Sequence, residues 1–131
     1  MVIFKNANAF SSFSVNDLVE AKKFYGQTLG LEVSESEEGL NLHLKGGNEV
    51  FIYQKSDHSP ATFTILNFVV DEVDQTVVEL TKLGIRFQIY NQGVLKTDDK
   101  GIFHGKPKIA WFKDPARNFL SILETKMFRV L

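Results

Sequence analysis

The sequence predicts an α+β fold made of two βαβββ modules, and three features of the hydrophobic pattern predict it. Apolar residues alternate along residues 9–15, as in a strand, and then change to a helical spacing in residues 16–31. Short alternating runs typical of strands follow that helix. The same order returns in the second half of the chain, where the turn Leu83-Gly84-Ile85 resembles Leu29-Gly30-Leu31. Order, turns and spacing repeat together, which indicates an internal repeat.

The first module is predicted to hold one helix between its first strand and three further strands. Asn16 or Asp17 is the expected N-cap, because either side chain accepts a hydrogen bond from an otherwise unpaired backbone N–H, and Gly30 is expected to end the helix in the left-handed conformation. The apolar stripe of this helix consists of Leu18, Ala21, Phe24, Tyr25 and Leu29. The three strands are expected near residues 32–37, 40–45 and 49–54.

The second module repeats this order with extra residues between its elements. A strand is predicted at residues 62–70, a helix at 71–84, and further strands at 85–90, 108–113 and 118–124. The offset between matching positions grows from 55 residues, between Val15 and Val70, to 70 residues, between Asn48 and Asn118. We therefore expect the additional residues in the loop 91–107, which is rich in Gly, Asp and Lys and could act as a lid. Residues 56–61 are the predicted linker between modules 1–56 and 61–131.

Composition and charge limit the partners that the chain can have. Its 131 residues are 44% hydrophobic, which is enough for one globular domain with a core. Fifteen basic residues stand against 16 acidic residues, so there is no basic field for a nucleic acid and no polybasic run for an anionic membrane. The N-terminus does not have the pattern of a signal peptide, and the absence of cysteine fits a reducing compartment. We expect a soluble, cytoplasmic protein without a nucleic-acid or membrane partner.

Three segments together resemble the vicinal oxygen chelate superfamily, which includes glyoxalase I, bleomycin-resistance proteins and extradiol dioxygenases. They are VNDLVEAKKFYGQTLGLEV, FVVDEVDQTVVELTKLGI and the turn DPARN. The resemblance spans nearly the whole chain. It implies a single glyoxalase/bleomycin-resistance-like domain, residues 1–131, in which curled mixed sheets surround a cleft and the helices lie on the outer faces.

Strand alternation predicts which side chains face that cleft, because neighbours on a strand point to opposite sides of a sheet. The uniformly apolar sets should pack under the helices; they are Phe13, Val15, Leu40, Leu42, Leu44, Val50, Ile52, Leu66, Phe68, Val70, Leu120 and Ile122. The positions between them should face the cleft; they are Phe10, Ser12, Ser14, Asn41, His43, Phe51, Tyr53, Ile65, Asn67, Val69, Ile109, Trp111, Phe119, Ser121 and Leu123.

The resemblance also implies where the metal enzymes of the superfamily carry their ligands. By motif, the corresponding positions here are Phe10, Phe51, Ile65 and Ser121. Only the serine has a donor atom, and a neutral hydroxyl is a poor ligand for zinc, iron or manganese. A slip of one residue would offer Ser11 or Glu49 instead, but it would also turn the apolar helix-facing sets into the cleft. We therefore predict no metal and no other cofactor.

The polar and aromatic side chains predicted to face the cleft are the candidate ligand-binding residues. They are Phe10, Ser12, His43, Phe51, Tyr53, Asn67, Trp111 and Ser121. His43 would be the titratable group of the cleft, although a histidine beside leucines is more often a hydrogen-bonded packing residue. Tyr53 and Trp111 would offer aromatic faces with polar tips, although aromatic side chains fill cores as often as pockets. No residue is assigned a catalytic role.

Three functions are compatible with this pattern. The favoured one is a metal-free small-molecule binding protein of the glyoxalase/bleomycin-resistance type, which holds a partly aromatic ligand in an apolar cleft. The alternative is a glyoxalase- or dioxygenase-like lyase, isomerase or oxidoreductase, with metal ligands misplaced here or with His43 or Tyr53 as acid or base. The third is a dimeric module without a small-molecule ligand. A homodimer is expected in any case, because an open curved sheet leaves strand edges and apolar area that a second copy can cover.

Overall fold

The computed structural model describes residues 2–124 and divides the chain into two compact units, residues 1–58 and 59–131. The boundary lies inside the segment predicted as the linker. Each unit has βαβββ order and a four-stranded mixed sheet, so the predicted α+β fold with two modules is confirmed. Residue 1 and residues 125–131, the ends of the predicted modules, lie outside the described part of the chain. Among the described residues, no helix has the length and apolar character needed to span a membrane.

Unit 1 contains four strands and one continuous helical segment. The strands are β1 (Ser11–Val15), β2 (Glu32–Glu35), β3 (Leu40–His43) and β4 (Glu49–Gln54), in the spatial order β1-β4-β3-β2. β1 runs parallel to β4, whereas the β4-β3 and β3-β2 pairs are antiparallel. The helical segment begins as α1 (Leu18–Lys22) and continues as a π-helix over Lys23–Thr28.

The helix of unit 1 starts and ends where the sequence predicts. Asp17 is the N-cap, and its Oδ1 accepts hydrogen bonds from the backbone N–H of Val19 at 2.9 Å and of Glu20 at 3.2 Å. Gly30 follows the helix with φ of 74°, a conformation that glycine adopts without steric cost. The π-helical turn was not predicted, because the spacing of apolar residues distinguishes poorly between 3.6 and slightly more residues per turn.

The core of unit 1 lies between the helix and one face of its sheet. The side chain of Tyr25 is fully buried there, and its ring centroid is 5.9 Å from that of Phe13. The sheet contributes buried residues at alternating positions, which are Val15, Leu40, Leu42, Val50 and Ile52. Alternation therefore leaves the opposite, open face of the sheet to the polar and aromatic residues between them.

Unit 2 repeats the arrangement with β5 (Thr64–Val70), α2 (Val73–Lys82), β6 (Ile102–Phe103), β7 (Ile109–Lys113) and β8 (Phe119–Glu124), in the order β5-β8-β7-β6. The side chain of Glu124 on β8 accepts a hydrogen bond from the backbone N–H of Val73, the first residue of α2, at 3.0 Å. The buried residues of α2 and of the sheet strands β7 and β8 include Val73, Val77, Ala110, Phe112, Leu120 and Ile122.

The prediction of a strand at residues 85–90 is wrong. Phe87 forms only an isolated bridge to Phe112, and the backbone N–H of Gln88 donates to the carbonyl of Trp111 at 2.8 Å. The chain then leaves the sheet and returns as β6, which pairs with Ile109 and Ala110 at the other end of β7. The edge of β7 is thus shared by two short segments, because the insertion interrupts the strand that the repeat predicts.

Candidate functional site

The open face of unit 1 carries five of the predicted ligand-binding residues. Ser12 lies opposite Phe51 in the β1-β4 register, and the ring of Phe51 stacks on that of Tyr53 with centroids 6.2 Å apart and an interplanar angle of 19°. Phe10 precedes β1 and is 72% exposed. Together with Asn41 and Phe51, Phe10 lines a pocket of about 730 Å³. The fifth residue, His43, lies on β3 of the same sheet.

Both ring nitrogens of His43 face side chains of the neighbouring strands. Its Nε2 is 2.7 Å from the hydroxyl of Ser34 on β2, and its Nδ1 is 3.7 Å from a carboxylate oxygen of Glu49 on β4. A role as general acid or base would require His43 to exchange one of these contacts for a substrate atom. The structure therefore supports a hydrogen-bonded packing role for His43 more directly than a catalytic role.

The structure places the other two histidines in polar pairs that sequence patterns did not reveal. His58 Nδ1 is 2.6 Å from the hydroxyl of Ser14, a residue 44 positions away on β1. His104 Nε2 is 2.8 Å from Oδ2 of Asp98 within the insertion. Burial opposes ionisation of Asp98, but the hydrogen bond from His104 and those from the backbone of Ile102 and Lys100 outweigh it and keep the pKa of the carboxyl below its usual value. Both pairs depend on loop paths that periodicity cannot predict.

The open face of unit 2 brings together the other three predicted residues. Asn67 on β5 and Trp111 on β7 both lie opposite Ser121 on β8, so the three form one row across the sheet. The hydroxyl of Ser121 donates to Oδ1 of Asn67 at 2.5 Å and is fully buried. This hydrogen bond gives the serine a structural partner at the position where the resemblance implies a metal ligand.

Trp111 is part of an aromatic cluster that the sequence patterns indicate only in part. Its ring lies 5.8 Å from that of Tyr90 at an angle of 74°, and 6.2 Å from that of Phe103 at 48°. Tyr90, Trp111 and Phe119 line a pocket of about 330 Å³ together with Thr62, Phe63, Thr64, Gln92 and Leu95. We call these lining residues the aromatic pocket. Tyr90 and Phe63 were missed as site residues; the signal that could have indicated Tyr90 is an aromatic residue at the start of a long insertion.

A short closed loop holds Tyr90 against Trp111. The backbone N–H of Tyr90 donates to the hydroxyl of Thr97 at 2.9 Å, and the backbone N–H of Thr97 donates to the carbonyl of Tyr90 at 2.8 Å. Thr97 is buried. Residues 90 and 97 therefore lie side by side, and the loop between them fixes one wall of the aromatic pocket.

The residues at the four implied ligand positions do not fit a metal ion. Phe10 and Phe51 have no donor atom, and the hydroxyl of Ser121 is used by Asn67. Ile65 also has no donor, and the β5-β8 register shifts between Thr64 and Leu66, so strict alternation does not assign Ile65 to the open face. Within residues 2–124, no group of three His, Asp or Glu side chains is arranged to hold a metal.

Known structures share this fold along almost the whole chain. The fosfomycin resistance protein FosX of Listeria monocytogenes is 15% identical with a TM-score of 0.68, and the match covers 96% of this chain and 98% of FosX. The antibiotic-binding protein TnmS3 of a Streptomyces species is 20% identical with a TM-score of 0.62, over 91% and 97% of the two chains. Lactoylglutathione lyase of Agrobacterium tumefaciens is 19% identical with a TM-score of 0.63, over 94% and 96%. These identities show a common fold alone.

The chain can be assigned to a family from its match to a family model, because structural likeness at such low identity shows only the fold. It describes the Glyoxalase/Bleomycin resistance protein/Dioxygenase superfamily and matches residues 9–122, which contain both βαβββ units. A search of curated proteins found no significant match. The resemblance to the vicinal oxygen chelate superfamily is confirmed, and the chain belongs to the Glyoxalase/Bleomycin resistance protein/Dioxygenase superfamily.

Proposed function

We propose that this chain is a metal-free binding protein for a small, partly aromatic molecule. The observation that carries the proposal is the aromatic pocket of unit 2, where Tyr90, Trp111 and Phe119 surround a space of about 330 Å³. Pockets of roughly 300–1,000 Å³ with aromatic walls and a few polar groups are typical of small-molecule sites. Gln92 and Thr64 supply polar groups at the wall.

The open face of unit 1 supports the same proposal independently. The Phe51–Tyr53 stack and the highly exposed Phe10 present apolar surface beside the polar side chains of Ser12 and Asn41. Contiguous exposed apolar surface of this kind often marks a binding site. Each unit thus offers a surface that suits an aromatic ring with polar substituents.

The similar proteins include both a binding protein and an enzyme, and the donor atoms of this chain support the binding role. TnmS3 is an antibiotic-binding protein, whereas lactoylglutathione lyase is an enzyme. Phenyl rings at positions 10 and 51 would replace the donors that a metal-dependent reaction needs. This favours binding over the lyase, isomerase or oxidoreductase alternative.

We expect added zinc, nickel or manganese to leave the melting temperature unchanged within error. A divalent ion at these positions would lose its hydration without gaining an anionic ligand, so we expect no binding. A ligand that does bind only the native state, at a concentration of about 100 times its Kd, would stabilise the protein by about 2.7 kcal/mol. Thermal-shift measurements with each metal, and in parallel with a panel of bicyclic aromatic compounds, check this. The aromatic compounds are expected to raise the melting temperature.

The control for the metal experiment is Ser121→Ala, which removes the one oxygen donor among the four positions. We expect this variant to respond to each metal as the wild-type chain does. A stoichiometric metal that survives dialysis, and that is lost in Ser121→Ala, would contradict the proposal and favour the enzyme alternative.

We also propose that the protein is a homodimer. Several large apolar side chains are more than half exposed in the single chain, among them Val2, Ile3 and Phe4 near the N-terminus and Phe63 in unit 2. Covering such area is the common driving force for symmetric association. Light scattering at tens of micromolar is expected to give twice the chain mass of 14.9 kDa. A monomer at that concentration would contradict this expectation.

A further inference from the structure

Unit 2 contains a second concave surface that shares no residue with the aromatic pocket. A groove of about 570 Å³ lies between helix α2 and the insertion. Its apolar lining consists of Val77, Val78, Ile85, Phe87 and Ile89. Val78 and Ile89 are 40% and 46% exposed, so apolar area in this groove is open to solvent. We call it the α2 groove.

One wall of the α2 groove is a tight turn that packs directly on its floor. Oδ1 of Asp98 accepts hydrogen bonds from the backbone N–H of Lys100 and of Ile102, both at 2.9 Å. Gly101 is buried with φ of 91°, and a Cβ placed there would lie 2.7 Å from Cβ of Phe87. Only glycine allows the turn this close to Phe87, and the groove therefore has a defined wall.

The rim of the α2 groove is positively charged. Lys82, Arg86 and Lys100 line it, together with a single carboxylate, Asp99. Within residues 2–124, none of these three basic side chains forms an ion pair with an acidic one. By contrast, Nζ of Lys108 is 2.6 Å from Oδ2 of Asp74 on α2. The rim thus concentrates uncompensated positive charge on a chain whose formal net charge is −1.

The internal repeat provides a comparison for this charge pattern. A groove of about 440 Å³ lies beside the helix of unit 1 and is lined by Val19, Lys22, Lys23 and Glu35 among others. There, Nζ of Lys22 is 2.9 Å from a carboxylate oxygen of Glu35. A carboxylate of the chain itself therefore satisfies a cation in the unit 1 groove, whereas the cations of the α2 groove remain available to an external anion.

We propose that the α2 groove binds a single-chain fatty-acid carboxylate, with its tail on the apolar floor and its head group at the basic rim. The apolar floor favours a hydrocarbon tail over a small hydrophilic anion, because a small anion leaves that area exposed to water. The three cations favour an anionic head group over a neutral or cationic one. This site is separate from the aromatic pocket, so either proposal can fail without the other.

The first test is a titration with dodecanoate below its micelle concentration, followed by ¹H–¹⁵N NMR of the full chain. The amides of Val78, Arg86 and Lys100 are expected to shift saturably, while those of Lys22 and Lys23 stay in place. Dodecanol and dodecyltrimethylammonium, which keep the tail and change the head group, are expected to bind at least about fivefold more weakly. Hexanoate is expected to bind at least about tenfold more weakly, because it buries six fewer methylene groups.

The second test uses matched charge reversals. Arg86→Glu is expected to weaken dodecanoate binding about tenfold, since it replaces an attraction at the rim by a repulsion. Lys23→Glu makes the same change beside the unit 1 groove and is expected to leave the affinity unaltered. Equal affinity for dodecanol and dodecanoate, equal effects of the two variants, or shifts confined to the open faces of the sheets would each overturn the proposal.

Discussion

Replacing Trp111 with alanine is expected to weaken the binding of aromatic ligands about thirtyfold, because an aromatic anchor removed from a binding surface costs on the order of 2 kcal/mol. Trp111 contacts both Tyr90 and Phe103 and lines the aromatic pocket with Phe119. Titration calorimetry with the strongest binder from the aromatic panel measures the loss. Because Trp111 is the only tryptophan of the chain, the wild-type protein also reports binding through its fluorescence.

Three further variants separate ligand binding at Trp111 from other effects. Trp111→Phe keeps a ring in the pocket and should retain most of the affinity, whereas Tyr53→Ala tests the open face of unit 1. Ser121→Ala is expected to change the affinity little, since its hydroxyl faces Asn67 and not the pocket. Unchanged affinity in a folded Trp111→Ala protein would show that the aromatic pocket is not the binding site.

Replacing Asp114 with alanine is expected to lower the free energy of unfolding by about 3 kcal/mol, since buried donors that lose an acceptor each cost about 1–3 kcal/mol. Asp114 and Asn118 are both buried at the turn between β7 and β8. The Asp114 carboxylate accepts from the backbone N–H of Asn118 at 2.9 Å and from its side-chain amide at 3.0 Å. Denaturant unfolding of the variant and the wild-type chain measures the change, provided that the two curves have the same slope of free energy against denaturant concentration.

The control for Asp114→Ala is the same substitution at Asp99, an exposed residue of the insertion. We expect Asp99→Ala to change the stability by less than about 0.5 kcal/mol, as is usual for exposed positions. The turn at Asp114 also sets the register that places Trp111 opposite Ser121. A loss below about 1 kcal/mol in Asp114→Ala would mean that the turn contributes less to the fold than its hydrogen bonds indicate.

Local patterns predicted the elements whose formation depends on local interactions. The N-cap at Asp17, the left-handed Gly30 and the bounds of β4 follow from residue type and alternation within a few positions. The failed prediction at residues 85–90 has the opposite cause. That segment has the alternation of a strand, but whether it pairs depends on where the insertion that follows it returns to β7.

The same distinction applies to the candidate site. The sequence by itself determined that the family positions for metal ligands hold Phe10, Phe51, Ile65 and Ser121. Residue type alone decides whether such a position carries a donor atom. The sequence also determined that Trp111 alternates with the apolar residues Ala110 and Phe112. These inferences need only the motif and the period-two geometry of a strand.

Only the tertiary structure decided which side chains meet at those positions. Tyr90 reaches Trp111 because Thr97 closes the insertion on itself, and Ser121 meets Asn67 because β5 and β8 pair in a shifted register. The rim of the α2 groove likewise combines residues from a helix and from a turn 18 positions away, between Lys82 and Lys100. Contacts of this kind are set by loop closure and strand register, whose free energies depend on the whole fold and leave no periodic signal in the sequence.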